Sequence, residues 1–367
     1  MTLLGPDDTV GNVYRVERFL GEGAFAEVYR VRHRFLGRQA MKVLKTPGMG
    51  ISEIEGLLQE AVILSQIGHP NIIRVFDANI LQIASGTYGY FTMEYVAGGS
   101  LEQHWKSYGM RLMPAGTSVE IVVQACRGIA TAHAAVPPIV HRDIKPQNIM
   151  VGYEADGLRV RVSDFGLAKH ANPLTLMVSA RGTRCFKAPE TFVDAQKDSR
   201  AGDTWALGCT LYLLLTDRLP FFQAGDGEIF DGSLFQRPLM PPSHLNVDVD
   251  ERLEGIVLRS LGLQPGDRYP TAHEMLEDLQ TWVPAKRTPK KAPRVEARTS
   301  SKQFGPAEIH PDKELASQMA REALDLARQP GKLAEAADLM EEALNRWPDL
   351  REQYEYQIKL WRRGILS

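Results

Sequence analysis

Several of the features that usually classify a chain are scarce here. Only three of the 367 residues are cysteine, Cys126, Cys185 and Cys209, and they lie far apart. They match no metal-ligand spacing, so free thiols in a reducing compartment are the simplest expectation. Charge of one sign is missing too. Lys and Arg total 43 against 45 Asp and Glu, a formal net charge of −2, which argues against a generally basic nucleic-acid binder. No long hydrophobic run is present: the longest apolar stretch, near Trp205–Leu215, stops at Thr216-Asp217-Arg218. That is too short to span a bilayer and suits a buried core helix. The opening MTLLGPDDTV has no basic segment and no apolar core, so a secretory signal is not expected and a cytoplasmic location is.

What is present is ordinary globular material, 44% hydrophobic and 24% charged, long enough for two domains or one large domain with an appendage. Residues 14–45 alternate apolar and polar in YRVERFL, AEVYRVRH and RQAMKVLK, which predicts three antiparallel strands. SEIEGLLQEAVILSQI, 52–67, opens on a serine cap and places Ile54, Leu57, Leu58, Ala61 and Leu64 at helical spacing. Two further strands are expected near Ile72–Ala78 and Tyr90–Tyr95, and helices dominate from Leu101 to Trp282. Residues 284–302 then hold seven Lys or Arg and three Pro with no apolar periodicity, the composition of a flexible tether. Beyond it the pattern is helical again.

Two stretches carry chemistry. GEGAFAEVY, 21–29, comes close to a glycine-rich phosphate loop, with Gly21 and Gly23 in place but Ala26 where a third glycine would stand. Alone it is a weak signal. HRDIKPQNIM, 141–150, followed by DFG at 164–166, is much stronger. Phosphoryl transfer from ATP needs metal ions bridging the phosphates and a group that accepts the hydroxyl proton. Asp164 and Asn148 offer metal-binding oxygens, Asp143 a proton acceptor, and Lys145 a cation for the transferring phosphate.

These residues resemble the eukaryotic-like protein kinase family of bacteria over about residues 14–283, and the remaining motifs fall in family order. The resemblance implies an α+β, two-lobed fold, with an antiparallel lobe over about 14–95 and a mainly helical lobe over 96–283. It implies ATP with Mg2+, or Mn2+ in its place, as cofactors. It places Lys42, in Ala40-Met41-Lys42, on the third strand to grip the α/β-phosphates, and pairs it with Glu60. Met93-Glu94-Tyr95-Val96 becomes the hinge that holds adenine, with Met93 the gatekeeper; Val28, Ala40 and Met150 join it as nucleotide-binding positions. Glu190, in Lys187-Ala188-Pro189-Glu190, is expected to pair with Arg268, Asp203 to brace the catalytic loop, and His141 to pack beneath Phe165.

Lys145 in HRDIKPQN and Thr183 in Gly182-Thr183 imply serine/threonine specificity, since members that phosphorylate tyrosine usually carry Arg and Ala in the first motif. Arg142 precedes the catalytic aspartate, a position whose basic residue family members pair with an activation-loop phosphate. Thr175 and Ser179 are the expected receivers and autophosphorylation the expected switch. A kinase-like scaffold with little catalysis is the alternative, but Lys42, Asp143, Asn148 and Asp164 are all present. The C-terminal part, 312–364 after a linker at 284–311, resembles half of a tetratricopeptide repeat: Gly331, Ala336, Ala343 and Pro348 fall at its spacing, while Leu324 stands where that family prefers glycine. A third helix, 350–363, sets Leu350, Tyr354, Ile358 and Trp361 on one face. One such repeat cannot bury its apolar face alone, so it should dock on the main domain, on a second copy or on a partner. Protein substrates are the expected partners, with no membrane and no nucleic acid.

Overall fold

The computed structural model describes residues 2–23, 26–45, 52, 54–56, 58, 67–109, 111–165, 184–194, 197–221, 232–284 and 311–366. Its N-terminal lobe is a six-stranded sheet in the order β1-β2-β3-β4-β6-β5. The strands are β1 (Thr9–Val10), β2 (Tyr14–Glu22), β3 (Ala26–His33), β4 (Gly37–Leu44), β5 (Val75–Ile83) and β6 (Gly86–Glu94), each antiparallel to its neighbours. Period-two alternation assigns the two faces different tasks. Tyr29, Val31, Met41, Val43 and Tyr90 lie on one face, in a small core closed by Tyr14, Tyr88 and Leu4. The alternate set, Val28 paired with Lys42, Lys42 with Phe91 and Ala40 with Met93, shares the other face. That second face is where Lys42 meets Asp164 of the other lobe.

The strand expected from Ile72 begins only at Val75 and continues to Ile83. The reason is a tie between lobes. Asn71 donates through Nδ2 to the Val160 carbonyl at 2.8 Å, and the Ile73 amide donates to the Val162 carbonyl at 2.9 Å, so this segment is drawn away from the sheet. The strand expected at Tyr90–Tyr95 starts earlier, at Gly86, because it forms a hairpin with β5. Of the predicted helix at 52–67, Ser52, Ile54–Gly56 and Leu58 are described and helical, with Ile54 and Leu58 buried.

The second lobe contains α1 (Leu101–Lys106), α2 (Ala115–His133), the hairpin β7 (Ile149–Glu154) and β8 (Gly157–Val162), then α3 (Glu190–Val193), α4 (Arg200–Thr216), α5 (Glu251–Ser260) and α6 (Ala272–Gln280). The apolar run Trp205–Leu215 is the interior of α4, where every residue from Asp203 to Thr216 is buried. Ser199 caps the start of α4 by accepting from the Gly202 amide, and Asp217 ends it at φ +56°. Gly128 in α2 is required by close approach, since a Cβ there would lie 2.6 Å from the Asn71 carbonyl oxygen.

The C-terminal segment forms α7 (Pro311–Ala327), α8 (Leu333–Arg346) and α9 (Arg351–Arg362). Alanines at 320, 323, 327, 336, 337 and 343 let α7 and α8 approach closely around Met340, Ile358 and Trp361. That core also takes in Tyr153 of β7, so of the three docking options the chain adopts the first, packing on its own kinase-like lobe. The predicted face of α9 is used as expected, with Ile358 and Trp361 buried and Leu350 and Tyr354 half-buried. Of the linker expected at 284–311, residues 285–310 lie outside the described residues.

Candidate active site

Asp203, in the first turn of α4, organises the loop that carries HRD. Its carboxylate is buried, accepts from the amides of His141 at 2.7 Å and Arg142 at 2.9 Å, and meets His133 Nε2 at 2.9 Å. A carboxylate this deep is tolerated only with its oxygens occupied in this way. The contacts hold Arg142 at φ +68°, and Asp164 is likewise left-handed at φ +61°. Such conformations cost a non-glycine residue on the order of 1 kcal/mol or more and persist where the surroundings over-determine them.

His141 joins this loop to the strand leading into DFG. Its Nδ1 accepts from the Asp143 amide at 3.2 Å and its Nε2 faces the Ser163 carbonyl at 2.9 Å, a pattern that fits the neutral ring with the proton on Nε2. Burial depresses its pKa, against the pull of nearby Asp203 and Asp143 toward the charged form. The ring lies 4.4 Å from that of Phe165, the packing expected from the sequence.

Around this frame the charged residues converge. Lys42 Nζ lies 2.7 Å from Asp164 Oδ1, Lys145 Nζ lies 2.8 Å from Asp143 Oδ2, and Asn148 Nδ2 donates to the same Asp143 oxygen at 2.9 Å and to its carbonyl at 2.8 Å. Burial alone would raise the pKa of Asp164, but the adjacent Lys42 ammonium outweighs it and holds the carboxyl below its ordinary value. Asp164 is therefore an anion at neutral pH. With the Asn148 amide nitrogen committed to Asp143, its amide oxygen remains for a cation; carboxylate and amide oxygens are the hard donors that magnesium or manganese takes.

The nucleotide side is equally ordered. Gly21 pairs with Val28 across β2 and β3, and the Gly23 amide donates to the Ala26 carbonyl at 2.8 Å. Ala26 is buried at 2% exposure, with its methyl in the main core. Val28, Ala40 and Met93 share the face of Lys42, Met150 lies on β7, and Val96 is buried in the hinge. The Glu94 carboxylate turns to Arg161 at 2.9 Å. Glu60, Thr175, Ser179 and Thr183 lie outside the described residues, and the expected Lys42–Glu60 pair with them.

Glu190 and Arg268 form the expected bidentate pair at 2.9 and 2.7 Å, beneath which Arg268 lies 4.8 Å from the Trp205 ring. Arg142 shows a partner the sequence did not suggest. Asp198 lies 3.9 Å from its Nε and 3.7 Å from Lys187 Nζ, and Lys187 also donates to the Arg142 carbonyl at 2.7 Å. A lone aspartate before a helix cap carries no motif, so only the fold reveals it.

The order of these groups matches a known family: the protein kinase domain profile fits residues 14–291. This chain belongs to the protein kinase family. It is 32% identical over 289 residues to the tyrosine-protein kinase MasK of Myxococcus xanthus, an alignment covering 74% of this chain and 43% of that one. It is 32% identical to the serine/threonine-protein kinase PknB of Mycobacterium leprae, over 72% of this chain and 42% of the other. The chain thus spans less than half the length of these curated relatives. Among solved structures, a double mutant of the Mycobacterium tuberculosis PknI kinase domain superposes with a TM-score of 0.57 at 26% identity, covering 76% of this chain and 98% of that one. Protein kinases as a family use ATP and a divalent cation. Among the described residues, no helix is long and apolar enough to cross a membrane.

Proposed function

We propose that the chain transfers the γ-phosphoryl group of ATP to serine and threonine hydroxyls of proteins. The observation that carries this reading is the convergence of Asp143, Lys145 and Asn148 within hydrogen-bonding distance, in one cleft with the Lys42–Asp164 pair. In the step, the substrate oxygen forms a bond to the γ-phosphorus as the bond to the β–γ bridging oxygen breaks, and ADP leaves. Asp143 orients the hydroxyl and takes its proton. Asn148 holds that carboxylate in place, and Lys145 stands beside it to meet the negative charge of the transferring group. Divalent cations, held by Asp164 and the Asn148 amide oxygen, would neutralise phosphate charge. Lys42 orients the phosphates, with Glu60 its counterpart on the helix; Gly21, Gly23 and Ala26 cover them, and Val28, Ala40, Met93, Glu94, Val96 and Met150 line the purine site.

Lys145 beside Asp143 favours serine and threonine over tyrosine, although one relative is named a tyrosine kinase. Thr183, in the Gly182-Thr183 loop expected to receive the residue after the phosphoacceptor, would hydrogen-bond Asp143. Arg142 supports autophosphorylation at Thr175 or Ser179, the new phosphate competing with Asp198 for the guanidinium. A cytoplasmic protein substrate fits this chemistry. The test is incubation of the full chain with Mg-ATP and a generic protein substrate, followed by phosphoamino-acid analysis, with Asp164→Ala as control. Phosphoserine and phosphothreonine made only by wild type support the reading. Phosphotyrosine alone, or equal incorporation by the control, overturns it.

A further inference from the structure

The C-terminal helices dock behind the segment that joins the two lobes, and the contact is centred on one carboxylate. Glu342 of α8 is buried, its side chain 5% exposed. One oxygen takes Arg30 Nη1 of β3 at 2.6 Å, the other takes Arg18 Nη2 of β2 at 2.9 Å, and the Tyr95 hydroxyl of the hinge donates to the first. The Arg30 guanidinium also lies 5.7 Å from the centre of the Tyr95 ring. One turn further along α8, Asn345 Nδ2 donates to the Ala97 carbonyl at 3.4 Å. Beside them Glu341 approaches Gly98, where a Cβ would fall 2.9 Å from its Oε2 and 2.2 Å from the Val151 carbonyl oxygen. Tyr95, Ala97 and Gly98 are therefore met by Glu342, Asn345 and Glu341 of a single helix.

The same segment is anchored on the second lobe. Arg351 donates to the Ser107 hydroxyl at 2.8 Å and to the Tyr153 hydroxyl at 3.2 Å, and Arg363 Nε donates to the Ala155 carbonyl at 2.6 Å. Arg38 of β4 approaches Asp338 at 3.7 Å on the first-lobe side. Among the described residues none of these contacts involves Lys42, Asp143 or Asp164. What they constrain is the lobe angle and the conformation of a hinge whose neighbours, Glu94 and Val96, are placed at the purine site.

We propose that Glu342 is a positioning residue of the nucleotide site, acting through Tyr95 to hold the hinge in its nucleotide-binding conformation. The inference rests on the kinase reading, because it requires ATP to occupy the cleft on the opposite side of the hinge. A carboxylate shared by two arginines and a tyrosine hydroxyl is strongly coupled to all three, so its loss frees the hinge and both strands together. The effect should appear in nucleotide affinity and hardly at all in turnover, since the groups at the reacting atoms stay in place.

The experiment measures ATP binding by titration calorimetry and steady-state KM and kcat in the full chain, for wild type, Glu342→Ala, Tyr95→Phe, the double variant and Glu352→Ala. Glu352 pairs with Arg111 on the same C-terminal segment but at an exposed site, and serves as the control. Glu342→Ala is expected to raise the ATP Kd and KM about fivefold with kcat changed less than about twofold. Tyr95→Phe should reproduce part of the rise, the double variant should fall short of the product of the single effects, and Glu352→Ala should match wild type. An unchanged Kd in both Glu342→Ala and Tyr95→Phe overturns the inference. Should Glu342→Ala fail to fold, Tyr95→Phe decides alone. A wild-type chain that binds no ATP overturns the underlying kinase reading, a result distinct from normal binding that Glu342→Ala leaves untouched.

Discussion

The hinge has two charged faces, and they differ in what their charges satisfy. In front, Lys42 and Asp164 retain 12% and 25% side-chain exposure, and Lys145 and Asp143 retain 14% and 20%. Behind it, Glu342 is at 5% and Glu341 at 2%, enclosed by Arg18, Arg30 and Arg362. The front pairs keep some exposure toward the cleft, and the proposed function has them exchange one another for phosphate and metal. The rear network turns its charges mostly on one another and acts as structure, although Glu341 Oε2 and Arg18 Nε are buried without a hydrogen-bond partner among the described residues. A buried ion cluster is weak evidence of stability but strong evidence of a specified geometry, because removing one member leaves its partners uncompensated. Charge density alone therefore does not locate a catalytic site; the two faces are told apart by exposure, 12–25% in front against 2–5% for the glutamates behind.

The comparison can be broken most severely at the front. Asp143→Ala should lower kcat about 10²- to 10⁴-fold, the range of a lost general base, with the melting temperature nearly unchanged. A change of less than tenfold in a phosphorylation assay would remove Asp143 from the reaction. The converse is expected at an internally satisfied pair. Arg268, with its side chain at 0% exposure, forms a bidentate pair with Glu190 and contacts the Gly262 and Leu263 carbonyls. Arg268→Ala should cost about 3–5 kcal/mol in denaturant unfolding of the kinase lobe. A loss below about 1 kcal/mol would show that the pair is dispensable for the fold.

A smaller effect should follow pH. Burial pushes the Glu341 carboxyl up to about 7, with Arg362 opposing the rise and Asp338 adding to it. The docked helix therefore holds a proton that a solvated glutamate would release. That contribution to docking is present below the ordinary carboxylate range and is lost as pH rises through about 7. Melting of the C-terminal helices should be easier at pH 8 than at pH 6. Glu341→Gln should flatten the difference, and an unaltered slope in that variant would assign it to another group.

The smallest effect concerns the broken glycine loop. Read in the sequence, Ala26 replaces a glycine at the less demanding end of the phosphate lid. In the fold it begins β3 with its methyl in the main core, paired with Leu44. Ala26→Gly should change the ATP KM only modestly and cost about 1 kcal/mol of stability from the lost methyl and added backbone freedom. A gain of stability would show that the alanine strains the turn.

Much of the catalytic lobe was legible because its constraints are local or periodic. Alternation marked the strands that became β2, β3 and β4, and the run Trp205–Leu215 read as the core helix it is. The family resemblance set Val28, Ala40 and Lys42 on those strands as nucleotide positions, which the fold puts on one face. The Asp203 brace, the Glu190–Arg268 pair and the His141–Phe165 contact all stand where motif order placed them. Boundaries were less legible. Ile72 and Ile73 look like strand residues by composition, yet Asn71 draws them across to β8. Asp198 opposite Arg142 had no signal, since a single aspartate in a loop looks solvated until the fold closes around it.

By itself the sequence determined the order of chemical groups along the chain: a lysine on a strand, HRD and DFG at their spacing, and a basic tether before an amphipathic tail. Those depend on neighbours within a few residues or on periodicity, which the chain states directly. Only the tertiary structure decided where the tail goes. Glu342 meets Arg30 across 312 positions and Tyr95 across 247, and no period or motif encodes a contact at that range. The pairing exists because an apolar helical face without a partner of its own is buried against Tyr153, and that burial brings an otherwise ordinary helix acid to the back of the hinge.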